Sequence, residues 1–270
     1  MRNWILLIAL GLGTALAASE SLTLGLWAKT PGFTLGPTLH LVYPLNPDLR
    51  AEVFLRASLP GTDETSVGLA LTQSFEGGVL GRGELGGQAF LGVDTQYWLE
   101  ARGRATAGPA AFGVRLGYTE NRTPRHFWPL QPRTLGFYAD LSGRYRLNRR
   151  LLLLGGYRYQ NRQSALELAL SWREGGRRFL AGAGAVGKPT RAYALLGYRQ
   201  PLPGAVAGGE LRIGSKNELK LDYAERGTKA HLTLAYPPAA GVGVEHGPWA
   251  LDALVDRAGF EVFLRYTLGR

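Results

Sequence analysis

Apolar and polar residues alternate one for one along nearly all of this chain. Between residues 135 and 147 the odd positions carry Leu135, Phe137, Ala139, Leu141, Tyr145 and Leu147. The even positions carry Tyr138, Asp140, Ser142, Arg144 and Arg146. Successive side chains of a β-strand point to opposite faces, so this run predicts a strand with one apolar and one charged face. Asn148-Arg149-Arg150 then reverses the chain, and a second strand, carrying Arg158, follows to Gln160. The same period of two recurs on both sides. Ala51, Val53 and Leu55 oppose Arg50, Glu52 and Arg56; Leu99 and Ala101 oppose Glu100 and Arg102; Val114 and Leu116 flank Arg115. Further on, Leu168, Leu170 and Trp172 oppose Glu167 and Arg173, and Leu211 and Ile213 oppose Glu210 and Arg212. Near the end, Phe260, Val262, Leu264, Tyr266 and Leu268 oppose Glu261, Phe263 and Arg265.

Turn residues separate these runs, among them Asn46-Pro47-Asp48, Gly175-Gly176, Pro203-Gly204 and Arg226-Gly227. The motif Tyr-x-Leu-Asn-x-x-Leu occurs twice, at 43–49 and at 145–151, each time with an aromatic just ahead of a tight turn. Residues 76–103 are rich in Gly and hold two to four strands. Residues 119–134 form the one long loop, with Arg122, Arg125 and His126. No run has helical spacing with caps. The 38 Gly, 15 Pro and single Met also argue against a helical protein.

The first residues change what the apolar faces mean. Arg2 is followed by an apolar run to Leu16, with Ala15 and Ala17 at the spacing a signal peptidase needs. Residues 1–17 read as a cleavable export signal, leaving 18–270 as one domain. With zero Cys no disulfide holds that domain together. Beyond residue 17 no apolar stretch is long enough for a spanning helix. Yet the polar face is charged on nearly every strand. About 14–18 strands at regular spacing are too many for one soluble sandwich, and no linker marks a second domain. The expected architecture is all-β: a single closed antiparallel transmembrane barrel of even strand number, its apolar faces on lipid and its charged faces inward.

The signal peptide, the repeated strands and the final run from Phe260 to Leu268 resemble bacterial outer-membrane β-barrel proteins of the porin-like class. That final run departs from the usual pattern by ending Leu268-Gly269-Arg270. The resemblance implies residence in the outer membrane, insertion by a barrel-assembly machinery and passive passage of small hydrophilic solutes. Arg50, Glu52, Arg56, Glu100, Arg102, Arg115, Asp140, Arg144, Arg146, Arg158, Glu167, Arg173, Glu210, Arg212, Glu261 and Arg265 would line the lumen. Arg122, Arg125 and His126 would form a constriction if their loop folds inward. The net charge of +10, with all but five of the 31 basic residues Arg, points to a weak preference for anions.

Basic residues are spread along the chain rather than gathered in a nucleic-acid-binding module, which sets nucleic acid aside as a partner. The four His are not at metal-binding spacing, and no cofactor is expected. His231 with Asp222 and Ser215 is the nearest approach to a hydrolase triad. A structural barrel serving a larger export or anchoring assembly is the main alternative to a channel, and the apolar face also permits a homo-oligomer.

Overall fold

A computed structural model describes residues 20–30, 33–59, 65–92, 97–120, 136–160, 162–187, 190–215, 217–236, 238–257 and 259–269. Residues 1–17, read above as an export signal, and the stretch with Arg122, Arg125 and His126 lie outside the described residues. Within them, alternation translates into strands throughout. The first six are β1 (Ser21–Lys29), β2 (Thr34–Pro44), β3 (Leu49–Arg56), β4 (Ser66–Glu76), β5 (Arg82–Gly92) and β6 (Tyr97–Ala107). Next come β7 (Ala110–Glu120), β8 (Gly136–Arg146), β9 (Leu151–Gln160), β10 (Gln163–Glu174), β11 (Arg177–Val186) and β12 (Arg191–Leu202). The last six are β13 (Ala205–Gly214), β14 (Asn217–Glu225), β15 (Thr228–Tyr236), β16 (Ala239–His246), β17 (Trp249–Asp256) and β18 (Gly259–Gly269). The Gly-rich stretch 76–103 resolves into the end of β4, all of β5 and the start of β6.

Each strand pairs antiparallel with the next, and β18 pairs with β1 from Ser21↔Gly269 to Lys29↔Glu261. The sheet is therefore a closed barrel of 18 strands, with every strand paired on both sides. Closure leaves no open edge. Strands spaced ~4.8 Å apart and tilted by ~40° make an 18-stranded cylinder roughly 35 Å across at the backbone. That is wide enough for an aqueous interior once the inner side chains are in place.

Register assigns the faces. Leu24, Leu26, Leu69, Leu99, Leu141, Leu168, Leu196 and Leu264 share the outward parity and are all well exposed. In water such a surface would be untenable; in hydrocarbon it is what a spanning strand requires. Aromatics mark its two margins. At the near end, where β1 begins and β18 finishes, Trp172, Phe179 and Tyr198 stack side by side with centroids 5.3 and 5.2 Å apart. Trp249 and Tyr266 meet at 4.6 Å on the same level. At the far end Tyr97 meets Tyr118, and Phe137 meets Tyr159. From Phe137 to Tyr145 along β8 is eight residues, ~27 Å of strand and ~21 Å along a tilted axis. This approaches the ~25 Å apolar band between aromatic girdles of outer-membrane barrels. Among the described residues, the charged outward side chains (Glu174, Arg177 and Glu225) sit only at strand ends.

The duplicated motif builds the same turn twice at the near end. Asn46 Oδ1 accepts from the N–H groups of Asp48 and Leu49 at 2.9 and 2.8 Å. Asn148 Oδ1 accepts from those of Arg150 and Leu151 at 2.8 and 2.9 Å. The short amide side chain replaces a backbone acceptor in the reversal. The β10–β11 hairpin turns instead on Gly175 and Gly176, at φ 54° and 82°, a left-handed pair that glycine adopts without strain.

Candidate functional site

The inner wall is where charge gathers. All sixteen side chains read as lumen candidates share one parity of the sheet. That parity is the concave one, because its side chains reach past intervening strands. Arg212 on β13 binds Glu167 on β10, and Trp98 on β6 binds Tyr138 on β8. Most of the charges pair on the wall itself.

From the start of β1 to β9 a series of contacts runs around the wall. His40 Nε2 lies 3.0 Å from Glu52, and its ring stacks on Phe54 with centroids 4.2 Å apart. Arg102 approaches Glu52 at 3.7 Å and donates to Thr72. Trp98 Nε1 donates to the Tyr138 hydroxyl at 2.7 Å, and that hydroxyl donates to Glu100 at 2.5 Å. Gln88 also donates to Glu100, at 2.8 Å. Arg115 and Arg158 both hold Asp140, the second at 2.7 Å. Arg56 lies flat on Trp27, its guanidinium carbon 3.4 Å from the ring centroid. Arg50 lies 3.5 Å from Glu20 at the near end.

A second network covers β10–β14. Arg212 grips Glu167 through Nε at 3.0 Å and Nη2 at 3.3 Å, while Nη1 faces Glu218 at 3.4 Å and Glu210 at 3.5 Å. The Tyr193 hydroxyl donates to Glu167 at 2.9 Å. One guanidinium thus serves three carboxylates. Replacing Arg212 by Met should cost about 2–3 kcal/mol, less than for a dry pair because Glu167 and Glu210 reach water. The shift in urea midpoint of the barrel in micelles checks this; a loss below about 0.5 kcal/mol would show that the cluster does not brace the wall.

Aromatic rings lie flat against this wall because glycine faces them across the ladder. Gly68 opposes Phe90, Gly117 opposes Tyr138, and Gly184 opposes Tyr193. A Cβ built at any of the three would come within 2.2 Å of the ring. Gly243 makes the same room for His231. Phe90, and Phe54 opposite the same Gly68, are consequently buried in the wall, and Trp98 is buried by stacking on Phe90 at 4.8 Å. Sequence reasoning missed these pairs; their signal is Gly on the inward parity of a strand next to one with an inward aromatic.

The interior encloses a cavity of about 1140 Å³ reaching from Glu76, Arg82 and Arg104 to Glu167, Leu195 and Glu210. Arg144 lines this cavity, Arg146 and Arg173 line an adjoining near-end recess, and none of the three pairs with a carboxylate among the described residues. Arg265 instead pairs with Asp252 at 2.8 Å. Glu261 opposes Leu254 on β17.

The triad reading fails on geometry. His231 opposes Asp222 and lies 3.9 Å from Asp252, but the Ser215 hydroxyl donates to the Arg191 carbonyl at 3.0 Å in the far-end turn. Asp222 is several residues down β14 from that turn, roughly 17 Å along the strand. Among the described residues no group of three His, Asp or Glu could hold a metal ion.

No family model matches this sequence, and no curated protein matches it. Solved structures do resemble it. OpdL of Pseudomonas aeruginosa superposes with a TM-score of 0.52 at 11% identity, covering 93% of this chain and 98% of that one. OpdK of the same organism, solved with vanillate, gives 0.50 at 9% identity over 93% and 98%. A mutant porin of Rh. blastica gives 0.45 at 10% identity over 93% and 99%. At such identities the likeness is one of architecture. The chain has the fold of bacterial outer-membrane β-barrel proteins of the porin-like class.

Proposed function

We propose that residues 1–17 direct export and are removed, and that 18–270 form an outer-membrane channel for small hydrophilic solutes with a preference for anions. The observation that carries this reading is the inner wall. It is charged from end to end, belongs to a barrel wide enough for water, and keeps its rings flat over glycines so that the interior stays clear. The turns at 46–48 and 148–150 lie at the end of the barrel that would face the periplasm.

Acid–base pairing neutralises most of the wall, so selectivity rests on the arginines that have no carboxylate. Arg144, Arg146 and Arg173 supply a positive potential that attracts anions and repels cations. Arg122, Arg125 and His126 would add to it if their loop folds inward. Passage through such a pore needs no catalytic group, and the described inner wall is lined by ion pairs.

Purified protein in a planar bilayer should give discrete conductance steps, with a reversal potential in a KCl gradient of the sign set by chloride. A flat trace at high protein load would overturn the channel and favour a barrel that serves only as an envelope scaffold.

A further inference from the structure

The near-end mouth holds a charge arrangement that the rest of the wall does not. Arg144 and Arg146 on β8, Arg149 and Arg150 in the following turn, Arg173 on β10 and Arg178 on β11 line one recess of about 430 Å³. No acidic side chain among the described residues lines it. Elsewhere most inward basic groups among the described residues face acids: Arg104 with Glu84 at 2.7 Å, Arg265 with Asp252 at 2.8 Å, Lys229 with Glu245 at 3.4 Å.

Two features show that this recess is built and not a chance surface cluster. Arg173 and Arg178 are directly opposed across the β10–β11 ladder, an arrangement of like charges that destabilises a sheet unless something negative sits between them. Arg178 is also aimed, its Nε donating to the Ser171 hydroxyl at 2.8 Å. The floor is apolar. Arg144 and Arg146 oppose Leu154 and Leu152, where a neutral wall would be expected to alternate charge with charge. The low-dielectric floor strengthens any field the guanidiniums produce.

From this geometry we infer that the recess is a binding site for a small multivalent anion of the phosphate type, such as a phosphate ester. Planar guanidinium forks match phosphate oxygens in pairs, and six around one recess exceed what a monovalent ion needs. The volume suits a small molecule and not a folded chain. Leu152 and Leu154 give a carbon body something to pack on. Thr106, Ala111, Arg144 and Leu154 also line the larger cavity, so the site opens into the interior. An anion held there would stand on the route of any solute crossing the barrel. The site stands on the recess alone; its effect on transport rests on the channel reading.

Titration calorimetry of the detergent-solubilised protein with inorganic pyrophosphate tests it. The expected result is saturable binding that weakens as salt is raised. The double variant Arg146→Gln with Arg173→Gln should bind at least about tenfold more weakly. Lys229→Gln, whose ammonium pairs with Glu245 on β15–β16 away from the recess, should change affinity less than about twofold. Absence of saturable heat, or equal affinity in the double variant, overturns the site. Bilayer recordings separate the two readings. Conductance without pyrophosphate binding removes the site and keeps the channel, whereas binding without conductance keeps the site and removes the channel.

Discussion

Replacement of Gly117 by valine should leave little or no folded barrel. Nothing about the backbone at 117 demands glycine for its torsion angles; the demand is for space. A Cβ would lie 2.2 Å from Cζ of Tyr138 and 2.3 Å from its hydroxyl oxygen. The ring cannot swing aside cheaply, because its hydroxyl is held by both Trp98 and Glu100. Moving it would strand the buried Glu100 carboxylate and expose ring surface inside the barrel. Overpacking together with the lost hydrogen bonds should cost about 3–5 kcal/mol, a large share of a barrel's margin. The measurement is the fraction of heat-modifiable protein on a denaturing gel after refolding. Combining Gly117→Val with Tyr138→Ala restores the space and should recover much of that fraction, a coupling opposite in sign to simple additivity. If Gly117→Val alone refolds as well as the parent, the flat-ring account of the wall is wrong.

Two neighbouring residues on β8 should respond in opposite ways to the same side chain. Leu141 points out between the girdles, and Ser142 points in, its hydroxyl 3.5 Å from the Gly113 carbonyl. Leu141→Arg puts a charge in the middle of the hydrocarbon band, which in barrels of this kind costs about 2–4 kcal/mol. Ser142→Arg puts the charge into the aqueous interior and should cost under about 1 kcal/mol. Urea titration in lipid vesicles reads both. Equal effects would mean that the faces are not divided between lipid and water. The inward variant carries a second readout, because an added positive charge beside Arg144 should move the reversal potential toward that of chloride.

Much of this molecule can be read from period-two patterning alone. Face assignment follows from parity, and parity survives errors of a residue or two in where a strand starts. The lumen face of β3, β8 and β13 is legible as Arg50/Glu52/Arg56, Asp140/Arg144/Arg146 and Glu210/Arg212, because charge there never shares a parity with Leu. The strand count is harder. Around 76–103, glycine sits on both parities (Gly83 and Gly87 outward, Gly86 and Gly92 inward), and a residue without a side chain gives no polarity to alternate. The inner networks were not legible at all. That Arg212 would meet Glu167, or Trp98 meet Tyr138, depends on register between strands that the pattern does not fix. The recess at the mouth was half visible: Arg144, Arg146 and Arg173 could be placed inward, but their convergence with Arg149, Arg150 and Arg178 comes from the shared level of four strands. His231, by contrast, drew notice through its neighbours in sequence, and the ladder separates it from Ser215.

The seam between β1 and β18 sets an order of events during biogenesis. Thr23 and Thr267 meet across it at 3.0 Å although 244 positions separate them. Every other strand finds its partner within a hairpin, so the arc from β1 to β18 can form by local zipping, while the last junction must wait for both margins to arrive. Until then the growing sheet carries two unsatisfied margins, each a template for self-association. They cannot be left in hydrocarbon, where free N–H and C=O groups are costly. The seam is therefore the slowest contact to acquire, and a chaperone that shields a nascent barrel would be needed longest at residues 21–29 and 261–269. A peptide copying the 259–269 segment should compete for that margin, trapping an open sheet that a brief protease pulse would cut before the closed barrel becomes resistant.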